Sequence, residues 1–154
     1  MHMENLDPIA LLRQTLGEFE DRISNSNLDL IKNIPEQKLT IYADGKRTFR
    51  IFQNLISNIL KYSLKCTRVY IDVEEREKFV SVTFKNISKY PLNFTEEEIL
   101  ERFKRGDASR TTEGSAGIGL SIAKNLVELQ GGIFEIKLDG DLFKVVVLLK
   151  KQKF

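Results

Sequence analysis

Little in this chain of 154 residues provides for crosslinks, membrane spans or polyanion binding. The lone Cys66 excludes an internal disulfide and makes a reducing cytosol the expected compartment. No apolar run approaches the roughly 18 residues a membrane-spanning helix needs, and no signal-peptide pattern is present. Direct contact with a membrane is therefore not expected. A charge excess of one sign is missing too. Basic residues number 24 and acidic residues 22, so the net charge of +2 gives no electrostatic case for nucleic acid. The single histidine, His2, stands in Met1-His2-Met3, which reads as an expression scar (residues 1–3) before a second start. Residues 4–154 then form one domain, expected to be a fragment of a longer protein. Composition is that of a globular chain with a real core, 42% hydrophobic and 30% charged.

Hydropathy patterning predicts the elements in turn. Asp7-Pro8 caps a helix whose apolar positions run from Ile9 to Ile23. Alternation predicts strands over Leu28–Ile34 and Leu39–Ala43, able to pair across Pro35-Glu36-Gln37-Lys38. A helix follows from about Lys46 to Leu64. Arg68–Glu74 and Phe79–Phe84 read as an antiparallel hairpin, with Val69, Ile71 and Val73 on one face. The pattern then loosens, and about 87–116 is expected to be a mobile flap. The capping-box start Thr95-Glu96-Glu97-Glu98 opens a short helix inside it. A helix begins at a glycine-rich stretch and ends at Gly131-Gly132. A last hairpin joins Ile133–Leu138 to Leu142–Leu149.

Two stretches carry chemistry. On a helical wheel Asn54, Asn58, Lys61 and Tyr62 share an arc of about 100°, opposite Phe52, Leu55, Ile56, Ile59 and Leu60. An amide oxygen is a hard ligand suited to Mg²⁺, and Lys61 and Tyr62 can donate to phosphate oxygens. A solvated face on an amphipathic helix gives the same pattern. What shifts the reading is Gly114-Ser115-Ala116-Gly117-Ile118-Gly119, since glycines at a helix start let backbone N–H groups approach a phosphate. A Rossmann site is the obvious competitor. However, no clear strand runs into these glycines, and Asp139 lies in a hairpin turn rather than a parallel crossover. The lysine-bearing P-loop pattern is absent as well.

These residues resemble the catalytic ATP-binding domain of bacterial sensor histidine kinases. That domain is a branch of the superfamily that includes gyrase, heat-shock chaperones and mismatch-repair ATPases. Asn54 to Tyr62 resembles the asparagine box and Leu100 to Arg105 the phenylalanine box. Gly114 to Lys124 resembles the second glycine box, with Val127 to Gly132 as its usual sequel. The resemblance covers roughly residues 10 to 150. It implies an α+β fold, a two-layer α/β sandwich with a mixed, mostly antiparallel sheet, helices on one face and an ATP lid.

The resemblance also implies roles. Asn58 would hold Mg²⁺ with Asn54 supporting the same face, and Lys61 and Tyr62 would touch the phosphates of ATP. Gly117, Ile118, Gly119 and Leu120 would contribute backbone, Arg105 and Arg110 would reach the γ-phosphate, and Phe103 would pack the flap. Hydrolysing relatives carry glutamate where this chain has Asn54, whose amide takes no proton at neutral pH. ATP is therefore expected to serve phosphoryl transfer to a histidine. The first glycine box departs from its Asp-x-Gly-x-Gly form. Asn86 stands where aspartate would accept the adenine amino group, and Ser88 and Tyr90 stand at the glycines. Asn86 can flip and donate, so weaker base selectivity is expected. His2 aside there is no histidine, so the phosphoacceptor belongs to a dimerisation domain absent from this chain. A response regulator is expected downstream, and the resemblance implies a cytoplasmic location as part of a membrane-anchored sensor. A degenerate nucleotide-binding module and a serine-directed kinase of the anti-sigma type remain alternatives.

Overall fold

Caps set the starts of the helices much as the sequence requires. The Asp7 carboxylate accepts from the backbone N–H groups of Ile9 (2.9 Å) and Ala10 (3.2 Å), with Pro8 at the first helical position. The protein is described by a computed structural model covering residues 1–92, 95–104 and 112–151, the side chains of 101–104 and 112–118 excepted. In it α1 spans Pro8–Glu18, and the expected single helix breaks at Phe19 (φ −96°, ψ 5°) before a short α2, Glu20–Ser24. Gly17, among the weakest helix formers, sits just ahead of the break. Beyond it Phe19 and Ile23 still pack against the core.

The first strands pair differently from expectation. β1 (Met3–Leu6) pairs antiparallel with β3 (Ile41–Asp44), while β2 (Asp29–Asn33) pairs in parallel with β4 (Arg68–Glu75). No hairpin forms across Pro35-Glu36-Gln37-Lys38. Alternation reports which face a strand buries and says nothing of its neighbour. A parallel pair needs a long crossover, and the helix α3, Gly45–Tyr62, supplies it between β2 and β4.

From β4 onward the sheet follows the sequence. β5 (Phe79–Ile87), β6 (Ile133–Asp139) and β7 (Leu142–Lys150) complete a five-stranded sheet of order β2-β4-β5-β7-β6, antiparallel except at β2–β4. Two rows cross it in register, Ile71-Phe84-Val145-Ile136 and Val73-Val82-Val147-Phe134. All eight side chains are buried in the core, with Leu12 of α1, Phe52 and Leu55 of α3, and Val127 packed into the same cluster. The Phe52 and Phe84 rings meet at 6.1 Å. The result is an α+β sandwich with helices on one face of a mixed sheet.

The capping box of α4 (Glu96–Lys104) is present in both directions. Thr95 Oγ1 accepts from Glu98 N at 3.1 Å, and Glu98 Oε1 accepts from Thr95 N at 3.3 Å. The last helix, α5, spans Thr112–Leu129, so the glycine box is wound into its first turns instead of standing before it. Glycine costs only about 1 kcal/mol per position in a helix. The apolar positions Leu120, Ala123 and Val127 all bury, and they hold the register. At the other end Gly131 adopts φ +80°, and Gly131 and Gly132 donate to Glu128 O and Val127 O, both at 3.0 Å.

Candidate functional site

The site begins with how α3 is held. Asp44 caps it, accepting from Arg47 N at 3.1 Å, and the His2 backbone N–H donates to the same carboxylate at 2.9 Å. These hydrogen bonds, the His2 contact foremost, hold the Asp44 carboxyl below the ordinary carboxylate range against the opposing effect of burial. From the end of α5, the buried Gln130 reaches across. Its Oε1 accepts from Asp44 N (2.8 Å) and Thr48 Oγ1 (3.3 Å), and its Nε2 donates to Leu126 O (3.0 Å). One amide thus ties the α5 terminus to the α3 start. With Ile51, Phe52, Leu55, Ile56 and Ile59 all buried, the rotation of α3 is fixed and its amide face turns away from the sheet.

That face meets α5. A Cβ added at Gly119 would lie 3.9 Å from Cβ and Cγ of Asn54, so the glycine stands directly against the amide. Asn54 Nδ2 is buried and has no hydrogen-bond partner among the described residues. A buried donor without an acceptor is costly, and an oxygen-rich ligand would relieve it. One turn on, Asn58 is buried and lines a crevice with Leu55, Ile59, Phe84, Asn86, Phe143 and Val145. The lining is five apolar side chains and two amides, which suits a flat apolar ring with a polar edge. The crevice has no room for even a water molecule as it stands.

The far end of α3 is stitched to the end of β5. Ser63 and Ser88 form an antiparallel bridge, Leu64 N donates to Ile87 O (2.8 Å), and Lys89 N donates to Tyr62 O (2.9 Å). Asn86 is 2% exposed and its Nδ2 donates to Ser63 Oγ at 2.9 Å. Ser88 does not point to an open pocket; its hydroxyl donates to Tyr90 O at 2.7 Å and accepts from Tyr90 N at 3.1 Å. The Tyr62 and Tyr90 rings pack at 6.4 Å.

The structure therefore brings Asn54 to Gly119, Asn58 to Asn86, and Tyr62 to Tyr90, with Lys61 in the last turn of α3. Gly117 and Ile118 lie in the helical backbone of α5, and Leu120 buries its side chain in the core. In a helix starting at Thr112 the N–H groups of Gly117 and Gly119 fall beyond the four unpaired ones, so phosphate contact through them requires the first turns to unwind. Arg105 and Arg110 lie outside the described residues, as does the side chain of Phe103. Sequence reasoning missed Ser63 and Gln130 as structural parts of the site. The only signals were a serine just past the helix and a glutamine just before a glycine pair.

Among the described residues no three His, Cys, Asp or Glu side chains gather to hold a metal. A divalent ion here would take an amide oxygen from the protein and its remaining oxygens from phosphate and water. Mg²⁺ is bound in that fashion, so the donor set fits it.

A sandwich with helices on one face of a mixed sheet is the fold that the asparagine and glycine boxes implied. The comparisons agree. The profile described as histidine kinase-, DNA gyrase B- and HSP90-like ATPase matches residues 43–152, and the chain belongs to that family. It is 31% identical over 128 residues, 82% of its length, to the signal transduction histidine-protein kinase BaeS of Escherichia coli K12, covering 27% of that protein. It is 34% identical over 109 residues, 69% of its length, to the sensor histidine kinase WalK of Bacillus subtilis, covering 18% of that protein. The chain thus spans about a fifth to a quarter of the length of these relatives. In fold it is similar to the catalytic domain of the histidine kinase ThkA, with TM-score 0.83, 22% identity and coverage of 98% and 97% of the two chains. It is also similar to full-length ShkA, solved with AMPPNP, at TM-score 0.76 and 20% identity, covering all of this chain and 32% of that one.

Proposed function

We propose that this chain is the ATP-binding catalytic part of a two-component sensor histidine kinase. It binds Mg-ATP and passes the γ-phosphoryl group to a histidine on the dimerisation domain of the same full-length protein, with a response regulator downstream. The full-length protein is a membrane-anchored sensor with this domain on the cytoplasmic side. The observation that carries the reading is the meeting of Asn54 with Gly119 beside a crevice lined by Asn58 and Asn86.

The residues take the following parts. The crevice receives the base once its walls part, and Asn86 accepts from the adenine amino group. Asn58 offers its amide oxygen to Mg²⁺, and Lys61 and Tyr62 donate to phosphate oxygens. Arg105 and Arg110 are the proposed contacts to the γ-phosphate, and Gly117, Ile118, Gly119 and Leu120 the backbone contacts. When bound, Mg²⁺ supplies charge neutralisation at the phosphates.

Asn54 decides between hydrolysis and transfer. Its neutral amide cannot take a proton from water, and a missing general base removes about 10²–10⁴ from a rate. Set against a median turnover of about 10 s⁻¹, the purified chain is expected to hydrolyse Mg-ATP at about 0.001–0.1 s⁻¹. A coupled phosphate-release assay measures this. Fast turnover that disappears in Asn58→Ala would make the chain an ATPase and contradict the reading.

A further inference from the structure

The amide of Asn86 is held in one orientation. We propose that Ser63 is a specificity-determining positioning residue, which fixes the Asn86 amide so that Oδ1 faces the crevice and the site selects adenine over guanine. The inference rests on the reading that the crevice takes the nucleotide base, and it deepens that reading.

Ser63 caps the C-terminal end of α3, and its hydroxyl donates to Ile59 O at 2.6 Å. A serine hydroxyl carries a single proton, so toward any further neighbour Oγ can only accept. Asn86 Nδ2 is the donor that fills this role, at 2.9 Å. Rotating the Asn86 amide by half a turn would set Oδ1 against Oγ, two acceptors with no proton between them. Alternatively Ser63 would have to abandon Ile59. Ser63 is 6% and Asn86 2% exposed, so water cannot readily make up the loss. The backbone gives no slack either, because the Ser63–Ser88 bridge and the Leu64 N to Ile87 O bond (2.8 Å) hold the two segments together.

With Nδ2 committed to Ser63, the planar amide presents Oδ1 on its other side, and Asn86 lines the crevice. An acceptor there pairs with the amino group of adenine and repels the O6 acceptor of guanine. The freedom to flip, expected from the sequence, is removed by a residue 23 positions away. The same pair explains why asparagine suits this position. A carboxylate at 86 would face the Ser63 Oγ lone pairs across the same short distance, acceptor against acceptor.

The test is calorimetric titration of ATP and GTP, each with Mg²⁺, into the parent chain and its Ser63→Ala, Ser63→Thr and Asn86→Asp variants, with thermal unfolding to confirm folding. The parent is expected to bind ATP at least about tenfold tighter than GTP, the worth of one buried hydrogen bond. Ser63→Ala leaves Nδ2 without its acceptor, and the preference should fall about tenfold, chiefly by a gain in GTP binding. Ser63→Thr keeps the hydroxyl and should preserve the preference. In Asn86→Asp, which only accepts, adding Ser63→Ala should leave the preference unchanged.

Equal binding of ATP and GTP by the parent would overturn the inference even if Ser63→Ala fails to fold. So would full discrimination in a folded Ser63→Ala. Either result with ATP bound leaves the kinase reading standing. Failure of the parent to bind any nucleotide at millimolar concentration would overturn both.

Discussion

Replacing Asn58 with alanine is expected to remove the Mg-dependent part of ATP binding while leaving the fold intact. The side chain is buried and lines the crevice beside Leu55, Ile59 and Phe84, at the edge of the apolar core. Its loss takes away an oxygen donor and only a short polar side chain, and thermal unfolding checks that the variant stays folded. Loss of even an outer partner of a metal ligand costs 10–100-fold in affinity, so deleting the ligand itself should cost about a hundredfold or more. Titration with ATP in Mg²⁺ and again in chelator reads the effect, and ATP without metal should bind parent and variant alike. An unchanged Mg-dependent component in Asn58→Ala would place the metal elsewhere.

The second large effect belongs to the fold. Gly132 joins α5 to β6, and a Cβ there would overlap the Leu148 carbonyl oxygen and come within 2.9 Å of Val127 Cγ1 and 3.2 Å of Val127 O. Leu148 sits in β7 between β5 and β6, so its carbonyl cannot step aside without disturbing two ladders. Gly132→Ala should therefore destabilise by about 3 kcal/mol, the upper range of overpacking costs. Gly131 provides the control. Its φ of +80° favours glycine, but the atoms nearest an added Cβ belong to the movable end of Lys150, with Cε at 2.8 Å. Gly131→Ala should cost about 1–2 kcal/mol, the left-handed penalty alone. Denaturant midpoints at unchanged slope measure both. Equal costs at the two positions would contradict the packing account.

Much of this was legible because it is local. The rotation of α3 follows from a continuous apolar stripe, and its amide face follows from the remainder of the wheel. Thr95 and Glu98 announce their reciprocal cap within four residues. The β4–β5 and β6–β7 hairpins join neighbours through short turns, and Gly131 marks the end of α5. What was not legible depends on partners distant in sequence. The alternation of Leu28–Ile34 and Leu39–Ala43 showed strands but could not show that β2 would lie parallel to β4 or that β3 would pair with β1.

The same limit applied to the site. Asn54 and Asn58 stood out because their spacing fits one helix face. Gln130 binds Asp44 from 86 positions away, and Ser63 binds Asn86 from 23, so neither carried a pattern to read. The helical glycine box had another cause. Three glycines lower helix propensity, and the sequence put the first of them at the edge of the flap, but the buried stripe from Leu120 to Val127 outweighs that local cost.

The central claim is transfer of phosphate to histidine, and one reaction tests it most directly. The chain is mixed with γ-labelled Mg-ATP and, separately purified, the histidine-bearing dimerisation domain proposed as its partner. A serine phosphoacceptor protein is tested in parallel. The account predicts label on the dimerisation domain, lost in acid and stable in base as a phosphohistidine is, with none on the serine protein and none on this chain alone. Acid-stable label on serine, or no transfer from a chain that binds Mg-ATP, would contradict it.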